Sequence, residues 1–222
     1  MTTDIILIRH AEAYNTATDD GAREVRDRAN PPLTPLGERQ AVELIGVLSA
    51  FAPDAIVVSP FLRAIQTIWP SICDEERIPS PILVDQRFGE IVVDSAFEEF
   101  RGINLDEYRL RFGERITFEK SLASREGFPA YPENADSVRQ RVLALWSAVN
   151  GTARRMAFIG HGATLGALLT RLTPRVSENV GHVNCGVTHL RRMDSGDLAV
   201  WQALYVNRAD HLTCFGNAAS LG

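Results

Sequence analysis

Three short stretches of this chain are apolar at every position: Ile5-Ile6-Leu7-Ile8, Ala55-Ile56-Val57-Val58 and Met156-Ala157-Phe158-Ile159. A strand with one face in water alternates apolar and polar residues; a strand covered on both faces need not. Runs of this kind predict a sheet sandwiched between other layers, and such sheets are usually parallel.

The intervening sequence supplies the covering layers. Thr34 is placed to cap a helix and Pro35 to open it, with Leu36, Ala41, Leu44, Ile45 and Leu48 recurring at helical spacing as far as Phe51. A second helix is predicted over Phe61–Ile72, with Pro70 expected to disrupt it. A short strand is expected at Ile82–Val84. A long amphipathic helix is expected over Asn134–Val149, with Val138, Val142, Leu145, Trp146 and Val149 on one face. Gly162–Leu172 is predicted helical and stopped by Pro174. The last two strands, Val187–Arg192 and Leu198–Tyr205, flank the turn sequence Asp194-Ser195-Gly196-Asp197.

Strands alternating with helices predict an α/β fold: a three-layer sandwich with a mainly parallel central sheet and helices on both faces. Residues 94–132 do not share this alternation and are expected to form an inserted cap over one end of the sheet, with a plain surface excursion as the alternative. A chain of 222 residues is expected to make one domain spanning 1–222.

The net charge of −5 and the single lysine, Lys120, argue against a nucleic-acid or membrane-surface partner, which would call for a basic excess. An anionic ligand must then be held by a few placed arginines. Cys73, Cys185 and Cys214 have no metal-ligand spacing, and neither do His182, His189 and His211. No segment reads as a secretory leader or a membrane span. The expectation is a cytoplasmic protein with reduced thiols.

Ligands of parallel sheets bind beyond the carboxyl ends of the strands. Arg9 and His10 follow the first apolar run, Ser59, Pro60 and then Arg63 follow the second, and Gly160-His161-Gly162 follows the third. Three separate segments thus bring two arginines and two histidines to one edge. Paired guanidiniums form a fork for a tetrahedral oxyanion. A histidine among them is pushed toward its neutral form, whose free nitrogen can attack phosphorus. The second histidine can bond to oxygens on which charge builds, and the helix opened by Gly162 offers free N–H groups to an anion.

Arg9-His10-Ala11-Glu12 resembles the Arg-His-Gly/Ala-Glu signature of the histidine phosphatase superfamily, the phosphoglycerate mutase-like proteins. Leu33-Thr-Pro-Leu-Gly-Glu-Arg-Gln-Ala41, Ser59-Pro-Phe-Leu-Arg-Ala-Ile-Gln-Thr67, Gly160-His161-Gly162 and Asn184-Cys185 are similar to further segments of that family, in order and nearly end to end.

The resemblance implies a histidine acid phosphatase-type phosphomonoesterase that hydrolyses a small phosphorylated substrate through a phosphohistidine and needs no metal or organic cofactor. His10 is the implied nucleophile, and Arg9, Arg63 and His161 the implied holders of the phosphoryl oxygens. Two positions depart from the pattern. The family's phosphate-holding Asn six residues after the nucleophile is here Thr16, with Asn15 one residue earlier; both, with Gly162, are candidate substrate-binding residues. The family's proton-donor Glu four residues before a Gly is here Asp85, one methylene shorter, with Glu90, Glu98 and Glu99 as rivals. Two other functions remain open: a mutase-type phosphoryl transferase, and a protein that binds a phosphorylated ligand or partner as a sensor without useful turnover. A homodimer through the C-terminal strands is a further possibility.

Overall fold

Each of the three apolar runs lies buried within a six-stranded sheet. The structure is a computed structural model that describes residues 2–15, 27–73, 82–174, 180–195 and 198–212. In chain order the elements are β1 (Asp4–Arg9), α1 (Pro35–Phe51), β2 (Ala55–Val58), α2 (Leu62–Cys73), β3 (Ile82–Val84), α3 (Leu105–Phe112), α4 (Ala135–Val149), β4 (Arg155–Gly160), α5 (Gly162–Leu172), β5 (Val187–Ser195) and β6 (Leu198–Arg208). The strand order is β3-β2-β4-β1-β5-β6. The first four are parallel; β5 runs antiparallel to β1, and β6 antiparallel to β5.

The pleat divides the apolar runs between two layers. Ile6, Ile8, Ile56, Val58, Ala157 and Ile159 pack with Ala41, Leu44 and Leu48 of α1 and Ala64, Ile65 and Ile68 of α2. Ile5, Leu7, Val57, Met156 and Phe158 face the other way, onto Val138, Val142 and Leu145 of α4 and Leu165, Leu168 and Leu169 of α5. The fold is the expected α/β arrangement, with helices on both faces of a mainly parallel sheet. Among the described residues no helix is long and apolar enough to cross a membrane.

Two details differ from the expectations. Pro70 does not break α2, which runs on to Cys73. It falls in the last turn, so little helix remains to be disrupted, and Ser71 and Ile72 beyond it are buried. The antiparallel pair is longer than the pattern suggests, with β5 reaching Ser195 and β6 reaching Arg208, while turn residues 196–197 lie outside the described set. Between Asp94 and Pro132 the backbone forms α3 and four 3-10 turns. Their apolar side chains, including Phe97, Phe100, Phe112 and Phe128, join the core on the α1–α2 side.

The start of α1 is tied to the loop that follows β1. Thr34 caps the helix by accepting the Gly37 N–H at 3.0 Å, and its hydroxyl donates to Glu12 Oε1 at 2.7 Å. Gln40 Oε1 accepts the Glu12 N–H at 2.8 Å. A Cβ on Gly37 would lie 1.9 Å from the Glu12 carbonyl oxygen, so only glycine lets the loop lie this close to the helix. Thr34→Ala is expected to lower the unfolding free energy by about 1 kcal/mol. Gly37→Ala is expected to cost more than Thr34→Ala, because backbone has to move. Urea denaturation of the two variants against the wild type measures both.

Candidate active site

The carboxyl ends of the parallel strands are locked to one another by backbone hydrogen bonds, and the functional side chains lie just beyond them. His10 N–H donates to the Gly160 carbonyl at 2.9 Å, Ser59 N–H to Ile159 at 3.0 Å, and Asp85 N–H to Val58 at 3.1 Å. Gly160 has no room for a side chain: a Cβ there would meet the Phe88 ring at 2.6 Å. His10, Arg63 and His161 are each no more than 1% exposed.

The rings of His10 and His161 have centroids 5.0 Å apart. His10 Nδ1 lies 2.7 Å from the Ala11 carbonyl oxygen. A carbonyl only accepts, so Nδ1 carries the hydrogen and Nε2 keeps its lone pair. Burial, then the charges of Arg63, His161 and Arg9, hold His10 well below the usual imidazole range, so the ring is neutral at pH 7. These are the features of a nitrogen nucleophile.

His161 lies between two partners. Its Nε2 is 2.8 Å from Ser59 Oγ and its Nδ1 is 3.1 Å from Glu90 Oε2. Ser59 Oγ already accepts the Phe61 N–H at 3.2 Å, which leaves its hydroxyl hydrogen for His161 Nε2. Burial lowers the His161 ring to about 4. The same Glu90 oxygen lies 3.3 Å from Arg63 Nη2. Burial alone would raise the Glu90 carboxyl, but the attraction of His161, Arg63 and His10 outweighs it and keeps the group ionised.

Arg63 Nε and Nη1 are buried without a hydrogen-bond partner, and so is Arg9 Nε. Arg9 Nη1 donates to the His182 carbonyl. Buried charged donors without partners are costly in isolation and fit an oxyanion bound among them. His10, Glu90 and His161 each offer one ligand atom, all within 4.8 Å of one another, and in that respect resemble a metal site. The Arg63 guanidinium beside the same carboxylate opposes a cation, so the group suits an anion better.

The candidate residues are not all gathered here. Arg9, His10, Arg63 and His161 converge. Asp85 lies at the same edge, but its carboxylate is held by the Arg87 side chain at 2.7, 3.0 and 3.2 Å and caps a 3-10 turn by accepting the Arg87 N–H at 2.8 Å. The carboxylate brought to the histidines is Glu90, one of the rivals. Asn15 is exposed, Thr16 lies outside the described residues, and Gly162 opens α5 half-buried. Sequence reading did not assign roles to Ser59, Thr67 and Asn184. Thr67 Oγ1 accepts the Ala11 N–H at 2.9 Å and donates to the Arg63 carbonyl at 2.7 Å, joining the loop after β1 to α2. Asn184 Nδ2 donates to the His10 carbonyl at 3.0 Å. All three belong to motifs already singled out, which was the available signal.

A family model of the histidine phosphatase superfamily (branch 1) matches residues 5–204. The chain belongs to the histidine phosphatase superfamily. An uncharacterised phosphatase of Bacillus subtilis (strain 168), PhoE, is 27% identical over 176 residues, which cover 77% of this chain and 78% of that one. Among solved structures, a phosphoserine phosphatase from Entamoeba histolytica in complex with 3-phosphoglyceric acid superposes with a TM-score of 0.60 at 20% identity, over 96% of this chain and all (100%) of that one. A mycobacterial glucosyl-3-phosphoglycerate phosphatase in complex with VO3 gives 0.59 at 20% identity, over 94% and 100%. Those two likenesses concern the fold. As a member of the histidine phosphatase superfamily, the chain is a phosphatase-type enzyme of phosphoryl hydrolysis or transfer.

The buried imidazoles make stability depend on pH. His161 and His182, the latter lowered by burial and Arg9, stay neutral in the fold down to about 4, whereas the ordinary value is 6.5. Between these values the unfolded chain binds more protons, so stability is full above 6.5 and falls as the solution is acidified. The depressed Glu90 adds a loss of the same sign below its ordinary 4.5. Chemical denaturation across this range should show that loss. His182→Phe, which removes two buried nitrogens without partners, should make the acid limb shallower.

Proposed function

We propose that this chain is a metal-independent phosphomonoester hydrolase that works through a phosphohistidine on His10. The observation that carries the proposal is the neutral His10, with Nε2 free, beside a fully buried Arg63 with two donors unpartnered. The guanidiniums supply the positive charge that a metal ion would otherwise bring.

The first step forms a bond between His10 Nε2 and phosphorus and breaks the bond from phosphorus to the ester oxygen, which leaves with a proton from Glu90. Water then attacks the phosphohistidine, Glu90 takes its proton, and His10 departs neutral. Arg9, Arg63 and His161 hold the equatorial oxygens in both steps.

Glu90 is ionised in the free enzyme because it pairs with Arg63 and His161. The arriving phosphoryl group competes for the same two partners, which removes the cause of the depressed carboxyl and lets it bind a proton. A phosphate monoester loses its second proton near pH 6, so below that the substrate brings the proton with it. Asp85, tied to Arg87, serves instead to shape the turn before Glu90.

Residues 94–132 act as the cap. Phe97, Phe100 and Phe128 pack on Phe61, whose ring meets His161 edge-on at 5.7 Å. A cavity of about 1110 Å³ lies beside Leu62 at the start of α2, lined by Arg28, Asn30, Glu98, Arg101 and Tyr108, and Arg9, His10, Arg63, Glu90 and His161 do not line it. The substrate class is a small phosphomonoester.

Hydrolysis of p-nitrophenyl phosphate in the presence of EDTA tests the reading. The wild type is expected to be active, and His10→Ala folded but inactive; undiminished activity in His10→Ala overturns it. Binding of phosphate without turnover in the wild type would favour a sensor. Glu90→Gln is expected to lose about 100-fold or more in turnover, as removal of a general acid does. It is also expected to bind inorganic phosphate more tightly, because the competing charge is gone. Steady-state kinetics with phosphate as inhibitor reads both.

A further inference from the structure

Between the 3-10 turn Gln86–Phe88 and residue 92 the chain belongs to neither helix nor sheet, yet it carries Glu90. Carbonyls of this stretch and of the turn before it are met by one side chain from α4. Arg141 Nη1 donates to the carbonyls of Arg87 at 2.8 Å and Gly89 at 3.0 Å, and Nη2 donates to the carbonyl of Glu90 itself at 3.1 Å.

The guanidinium is fixed in turn from behind. Glu133 accepts Arg141 Nε at 2.7 Å and Nη2 at 3.0 Å. Glu133 also accepts the Val92 N–H at 3.2 Å, and its own N–H donates to the Val92 carbonyl at 2.8 Å. Ser137 Oγ completes the set on Glu133 Oε1 at 3.0 Å. The side chains of Arg141 and Glu133 are 10% and 1% exposed. A surface ion pair contributes little, but this one is enclosed and grips backbone on both sides of Glu90.

We infer that Arg141, held by Glu133, is a positioning residue for proton transfer: it fixes the backbone of Glu90 so that the carboxylate reaches His161, Arg63 and the leaving oxygen. The inference rests on the proposed role of Glu90 as proton donor. The work demands arginine. A planar fork meets several carbonyls and a carboxylate at once, whereas an ammonium keeps the charge and loses the fork. A displacement of about 1 Å in a reacting group can cost about 100-fold in rate, so a mobile Glu90 backbone is felt in the chemistry.

The test compares two substrates of similar shape, phenyl phosphate and p-nitrophenyl phosphate. Phenolate is the more basic leaving group and depends more on a proton donor; nitrophenolate depends on it less. Values of kcat/KM are measured for the wild type, Glu90→Gln, Arg141→Lys and the double variant. Glu90→Gln should lose more on phenyl phosphate than on p-nitrophenyl phosphate. Arg141→Lys should show the same selective loss, about ten-fold or more. The double variant should be no worse on phenyl phosphate than Glu90→Gln alone, since a misplaced donor that is already absent costs nothing further.

Equal losses on both substrates in Arg141→Lys, no loss at all, or additive losses in the double variant overturn the positioning role while leaving Glu90 as donor. A Glu90→Gln variant without selectivity overturns the donor, and the positioning role falls with it. Glu133→Gln, which keeps an acceptor for the Val92 N–H but weakens the grip on Arg141, carries the same comparison if Arg141→Lys does not fold.

Discussion

A guanidinium buried at the end of a parallel sheet has to be answered by negative charge, and in this protein the answer is shared. Arg63 is fully buried and meets one carboxylate, Glu90, through a single nitrogen, while its other two nitrogens have no partner. The nearby His10 responds by staying neutral, and Glu90 by staying ionised. Burial is the first cause of the neutral His10, to which the charges of Arg63, His161 and Arg9 add, while the attraction of His161, Arg63 and His10 outweighs burial at Glu90. The proposed phosphoryl chemistry asks for this asymmetry, a neutral imidazole and unpaired guanidinium donors for negative charge within one pocket.

Much of the remaining sequence pattern serves to keep that placement. Gln66 and Thr67, a turn beyond Arg63 on α2, accept the Leu33 and Ala11 N–H groups at 3.0 and 2.9 Å. Gln40 and Thr34 hold Glu12, and Asn184 holds the His10 carbonyl. These side chains do not touch the reacting groups of the site; they satisfy backbone donors and acceptors that the loop after β1 cannot satisfy by itself. The loop can therefore be irregular and still present His10 in one orientation.

The layers of the fold were legible because burial on both faces leaves a mark in composition: Ile5–Ile8 and Met156–Ile159 allow few other placements. The start of α1 was legible because Thr34 and Pro35 act locally. The segment 94–132 was not, because its aromatic residues are buried by 3-10 turns and a short helix that follow no single period. The carboxylate beside the two histidines shows a different limit. A linear pattern selects Asp85 by position, but Arg87, two residues on, captures that carboxylate, and only the path of the chain brings Glu90 to the histidines. Arg141 was hidden for a related reason: on a helical wheel it is one more polar residue, and the partners it holds around Glu90 are carbonyls, which carry no sequence identity.

The unpartnered donors of Arg63 and Arg9 also bear on how long the protein survives. A ligand that binds only the folded state adds RT ln(1 + [L]/Kd) to stability, or about 2.7 kcal/mol at a hundred times Kd. Any oxyanion that fills the pocket supplies this while it relieves the buried cations. Resistance to unfolding, and to proteolysis of the unfolded chain, would then rise with the concentration of whatever oxyanion binds there.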